Sequence, residues 1–155
     1  MRLLLLLLSA MALLTLPGCG GGSGVPKRIF PPEARIQELR LSDDGAVVSL
    51  RVQSFSTVPS EVQALTLRVA VAGRPLAELD ARPAKTLLPG SSEIIEVAVP
   101  LSGADRSMIL TLIAERRALR YRLDGTLTVE PPGRPYDIEY SSALSPVPGL
   151  DGVMR

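Results

Sequence analysis

Few side chains in this sequence are able to do chemistry, and their types narrow it further. The chain has no His, so the commonest general base and metal ligand is missing. A Ser nucleophile would have to take its base from Lys27 or Lys85, and neither lysine stands in a motif that places it beside a serine. Asp137 and Glu139 share one face of an alternating run, as a paired acid and base would. Tyr136, Ile138 and Tyr140 on the other face make them the wet side of a strand instead. Asp43-Asp44-Gly45 has carboxylates that could open a calcium loop but lacks the later ligands, so it reads as a hairpin turn. No phosphate-cradling glycine loop and no zinc spacing occurs in the sequence. The expectation is a protein that is not an enzyme and needs neither cofactor nor metal.

Two features remain. Arg116, Arg117, Arg120 and Arg122 crowd guanidinium groups into a short span, where they could bind the phosphates of lipid head groups or an acidic partner. A solvated helix end, with cations against its C-terminal dipole, followed by the outer face of a strand explains the same residues more simply. The other feature is Cys19, the only cysteine, for which a disulfide would need a second molecule. It follows Arg2, an apolar run from Leu3 to Leu16 broken by Ser9 and Thr15, and then Pro17-Gly18. That is the layout of a secretory signal peptide, and the run falls short of the roughly 20 apolar residues that span a bilayer. Leu16-Pro17-Gly18-Cys19 resembles the bacterial lipobox, with Pro17 departing from the usual Ala, Ser or Thr. The resemblance implies cleavage before Cys19, with diacylglycerol on its sulfur and an acyl chain on its nitrogen.

Residues 1–18 are then a lipoprotein signal peptide. Residues 19–31 are the lipidated cysteine and a flexible spacer built on Gly20-Gly21-Gly22-Ser23-Gly24. Gly20 is not the Asp that resembles an inner-membrane retention signal, so by analogy the anchor lies on the periplasmic face of the outer membrane. Losing Arg2 would bring the basic residues level with the 16 acidic ones, a balance that offers nothing to nucleic acid.

The rest of the chain has domain size and enough apolar residues to bury a core without staples. Aromatics are 3% of the chain, so that core must be aliphatic. The 14 Pro and 13 Gly punctuate short alternating runs, as turns do in an all-β domain. Ala34 to Leu41 reads as a strand with a bulge at Gln37-Glu38, where the parity of apolar positions changes. Val48, Leu50 and Val52 alternate in the next strand. Leu65 to Ala81 reads as a hairpin turning at Gly73-Arg74-Pro75, and Ile95 to Leu101 as a further strand. Ser102 and Asp105 have the spacing of a capping box ahead of Met108, Ile109, Leu112 and Ile113, which predicts a helix from about Gly103 to Arg117.

Leu119, Tyr121 and Leu123 return to strand period. Asp124-Gly125 then either turns a hairpin or lets one long strand continue across a glycine bulge. Tyr136, Ile138 and Tyr140 make a last strand, and the chain from Ser145 is expected to be loose. About seven strands and one short helix favour an antiparallel β-sandwich, with a two-layer α+β sheet as the fallback.

This order of features, from about Pro32 to Pro148, resembles the LEA type 2 (LEA14-like, or WHy-domain) proteins. The matching runs are Val48-Ser49-Leu50-Arg51-Val52, the hairpin from Leu65 through Gly73-Arg74-Pro75 to Ala77, Leu88-Pro89-Gly90, the helix, and Tyr121-Arg122-Leu123-Asp124-Gly125. The family's Asn-Pro-Asn would fall at Ser54-Phe55-Ser56 and is absent, since the chain has no Asn. Serine and threonine can make similar side-chain to backbone turns.

The resemblance implies a fibronectin-III-like sandwich at residues 32–148 with a loose tail at 149–155, and a role in desiccation, cold or osmotic stress without catalytic residues. Bacterial members are often lipoproteins. The expected partners are the membrane through Cys19 and either protein clients or an envelope complex in which the chain serves as an accessory subunit.

Overall fold

Where apolar residues alternate with polar ones, each run can lie flat on a core only as a strand, and two such sheets must cover each other. The structure, a computed structural model, describes residues 26–155. The signal peptide, Cys19 and the Gly-rich part of the spacer lie outside the described residues. The elements run β1 (Glu33–Ser42), β2 (Gly45–Gln53), β3 (Ser60–Val71), β4 (Arg74–Ala81), β5 (Lys85–Leu87), β6 (Ser92–Pro100), α1 (Gly103–Ala114), β7 (Leu119–Glu130), β8 (Arg134–Leu144) and β9 (Val153–Met154). One antiparallel sheet has the order β6-β2-β1-β9; the other has β4-β3-β7-β8, with β5 beside β3. Among the described residues the fold is an antiparallel β-sandwich with one short helix.

The core is aliphatic: Leu39, Leu50, Leu65, Leu67, Leu123 and Leu127 are all fully buried between the sheets. The β1–β2 register slips between Ile36 and Glu38, where the apolar parity changes. Tyr121 crosses from β7 to this bulge. Its hydroxyl accepts from the Ile36 N–H at 3.1 Å and donates to the Ile36 carbonyl at 3.3 Å. β9 pairs with β1 only at Leu39 and Arg40, so on the edge of β1 away from β2 the tyrosine, not a strand, meets the Ile36 backbone.

Burial raises the Tyr121 pKa above its ordinary 10.0, opposed in part by the Ile36 hydrogen bond. The neutral form is favoured in the folded state, so this stabilisation is whole below pH 10 and is lost as pH rises through the raised value. Tyr136 is buried nearby in sequence on β8, yet its hydroxyl has no partner among the described residues. The two tyrosines therefore predict opposite results in chemical denaturation. Tyr121→Phe should cost about 1–3 kcal/mol by orphaning the Ile36 groups and should flatten the alkaline fall in stability, while Tyr136→Phe should cost nothing or add stability.

Of the two readings of Asp124-Gly125 the continuous strand holds, and three other expectations change. β7 runs through Asp124-Gly125 without a turn, and its register against β3 and β8 does not shift there. The bulge in that pair lies instead on β3, between Val62 and Ala64. The helix ends at Ala114 rather than near Arg117. Residues 149–155 are not loose: Val153 and Met154 are buried and pair with β1, and the Leu41 N–H donates to the Gly152 carbonyl at 2.8 Å. Two residues carry no readable period, so their apolar character passes for tail.

The ordered chain also begins before Pro31. The Arg28 N–H donates to Thr57 Oγ1 at 2.8 Å, the Thr57 N–H donates to the Arg28 carbonyl at 2.9 Å, and the Phe30 N–H donates to Ser56 Oγ at 3.0 Å. Ser54 and Ser56 are buried, with the Ser56 N–H on Ser54 Oγ. Serine hydroxyls thus hold the β2–β3 link where asparagine is lacking.

Candidate functional site

Whether the four arginines form one site depends on how α1 ends. Ser102 caps its start by accepting the Asp105 N–H at 3.1 Å, while the Asp105 carboxylate takes the Ser102 hydroxyl rather than a backbone N–H. The Arg106 guanidinium donates to the Ser42 and Gly45 carbonyls and pins the helix start to the β1–β2 turn. At the other end the Arg117 N–H donates to the Leu112 carbonyl and the Arg116 N–H to the Ile113 carbonyl, with Arg116 at φ +56°. That is a Schellman closure with arginine where glycine is usual. Arg116→Gly should therefore stabilise the fold by about 1 kcal/mol, read as a raised denaturation midpoint.

The left-handed turn separates the arginines. Arg117 and Arg120 line an open cleft of about 800 Å³, whose apolar wall comes from Val71 at the end of β3, Met108 and Leu112 of α1, and Leu119. Arg117 is paired with Glu115 at 2.9 Å, whereas Arg120 makes no ion pair among the described residues. Arg116 points elsewhere, lining a second hollow of about 460 Å³ with Ile113, Pro146 and Leu150. Arg122 is held by Glu139 across β7 and β8 at 2.7 Å. Two of the four arginines share a cleft, and each of the others has its own surroundings.

The remaining candidates stay apart. Asp137 and Glu139 are exposed on the outer face of β8. Lys85 faces Glu93 at 3.9 Å, and Lys27 is exposed ahead of β1. Among the described residues no group of three or more Asp, Glu or Cys gathers in metal-binding geometry. No described helix is long and apolar enough to cross a membrane. Cys19 lies outside the described residues.

The sequence reading missed a surface at the opposite end of the sandwich from the cleft. Ile29, Phe30, Phe55 and Leu88 are 39%, 43%, 51% and 57% exposed. The available signal was positional: both phenylalanines of the chain fall outside the alternating runs.

No family model and no curated protein matches this chain. Among solved structures, the fold is similar to a crystal structure of a protein from Archaeoglobus fulgidus, at 15% identity and a TM-score of 0.45, covering 79% of this chain and 99% of that one. It is also similar to a solution structure of a protein from Arabidopsis thaliana, at 15% identity and a TM-score of 0.42, covering 83% of this chain and 88% of the other.

Proposed function

We propose that this chain is a lipid-anchored, non-enzymatic β-sandwich of the cell envelope, held by Cys19 and related in design to the LEA14-like proteins, which binds or shields other envelope proteins under desiccation, cold or osmotic stress. The observation that carries the anchor is the run Leu16-Pro17-Gly18-Cys19 behind an apolar leader and ahead of a glycine spacer. The protective role rests on the resemblance of the order of sequence features, the hairpin from Leu65 to Ala77 among them, to that family.

The character of the outer surface agrees with such a role. Arg68 meets Asp124 at 2.6 Å, Arg122 meets Glu139 at 2.7 Å, and Glu38 takes both Arg40 and Arg155. Exposed pairs like these add little stability. What they provide is a hydrated face on which both signs of charge are interspersed.

The test dries or freeze-thaws an aggregation-prone enzyme with the chain from Ser23 to Arg155, beside an inert β-sandwich. Protection well above that control is the expected result. Protection equal to it would remove the stress role.

The cleft favours a second reading, an accessory subunit of an envelope transport or assembly complex. It lies at the far end of the sandwich from Pro26, and an acidic partner would find Arg120 uncommitted there. Stoichiometric capture of one envelope protein, lost in Arg120→Glu, would support the subunit role over general protection.

A further inference from the structure

We propose that the end of the sandwich from which the spacer emerges is a membrane-docking face, where Ile29, Phe30, Phe55 and Leu88 sit in the interfacial layer of the bilayer that holds Cys19; this rests on the anchored reading above. The chain has two Phe residues, and both are exposed here while the core is packed with Leu, Val and Ile. Large apolar side chains gathered on one face of a protein mark a surface that meets another apolar phase.

The four belong together through the backbone. Phe30 is tied to Ser56 in both directions, its N–H donating to Ser56 Oγ at 3.0 Å and its carbonyl accepting from it at 3.3 Å. Phe55 lies between buried Ser54 and Ser56. The Ser54 N–H donates to the Ser91 carbonyl at 2.9 Å, and Ser91 closes back on the Leu88 carbonyl through its N–H at 3.0 Å and its hydroxyl at 2.9 Å. The loops are thus fixed from beneath with their apolar side chains outward.

Charge and chain length point to the bilayer as the occupant. Lys27 and Arg28 are exposed in the same segment as Ile29 and Phe30, the combination of cation and aromatic that suits an anionic head-group layer. The chain from Cys19 to Pro26 spans at most about 25 Å when fully extended. β3 alone has 12 residues, about 40 Å at strand rise, between this end and the cleft. The tether therefore brings the aromatic end to the membrane and leaves the cleft facing away from it.

The chain has no Trp, so one introduced tryptophan reports its surroundings without background. The full chain, matured on its own anchor, is reconstituted in vesicles of phosphatidylethanolamine and phosphatidylglycerol with and without brominated acyl chains. Phe55→Trp, and Phe30→Trp as a second reporter, should emit at shorter wavelength and lose about half or more of their emission to brominated lipid. Leu110→Trp on α1 should lose none. Equal quenching of all three, or none in any, would overturn the docking face while the anchor stands. An unmodified mass for the Cys19 peptide would overturn the anchor, and this proposal with it, before fluorescence is read.

Discussion

Gly125→Ala is expected to lower the melting temperature by about 10 °C, a loss of about 3 kcal/mol in a domain of this size. Gly125 holds φ +147° in the middle of β7, and a Cβ there would lie 2.2 Å from the Thr66 carbonyl oxygen and 2.9 Å from the Leu67 Cα. Both contacts are backbone of the central strand β3, so no side-chain rotation relieves them. The ladder must open or the residue must leave its conformation. Gly73 is the control, at φ +76° in the β3–β4 turn with nothing within 4 Å of its would-be Cβ. Gly73→Ala carries only the backbone penalty, about 1 kcal/mol. Thermal unfolding of the two variants side by side separates crowding from backbone preference. Equal losses would mean that β7 and β3 do not approach as described.

Deleting Val153, Met154 and Arg155 should cost about 4 kcal/mol and leave the domain close to its folding limit at 37 °C. Met154 is fully buried against the core and sits opposite Leu39 of β1. Arg155 exchanges backbone hydrogen bonds with Ser145, at 2.5 Å and 2.9 Å, and its side chain reaches Glu38 at 2.8 Å. The deletion opens a hole, frees a strand edge and uncovers Leu39 at once. Met154→Ala isolates the hole and should account for about 2–3 kcal/mol of the total. A truncated chain with the parent's denaturation midpoint would restore the picture of a dispensable tail.

The sequence announces this fold wherever a period can be counted. The parity change at Gln37-Glu38 marks the bulge, Gly73-Arg74 marks the hairpin turn, and Ile95, Val97 and Val99 mark β6. It is silent where an element is shorter than its own period. β5 has three residues and β9 two, and tertiary pairing alone makes them strands. Gly125 is ambiguous for another reason, since the same Asp-Gly serves a turn or a close approach between strands, and only the position of Thr66 decides. The arginines illustrate a third limit. Their crowding in sequence is real, but one residue at positive φ sends Arg116 away from Arg117. The exposed phenylalanines show a fourth: hydrophobicity scales assign Phe to the interior, and nothing local says that the loops bearing Phe30 and Phe55 turn them outward.

The pairing of β1 with β2 also has a mechanical side. The chain meets the fold at Pro26 to Phe30, which are tied to Ser56 and Thr57, and passes at Glu33 into β1, which runs the length of the sandwich with partners in β2 from Gln53 to Gly45. Force between an anchored spacer and a load on the cleft end would be directed along the strands. Backbone hydrogen bonds in an antiparallel pair lie across that direction, so they would share the load in shear instead of being peeled open one after another. A β-sandwich loaded in this way resists being unravelled from its N-terminal strand.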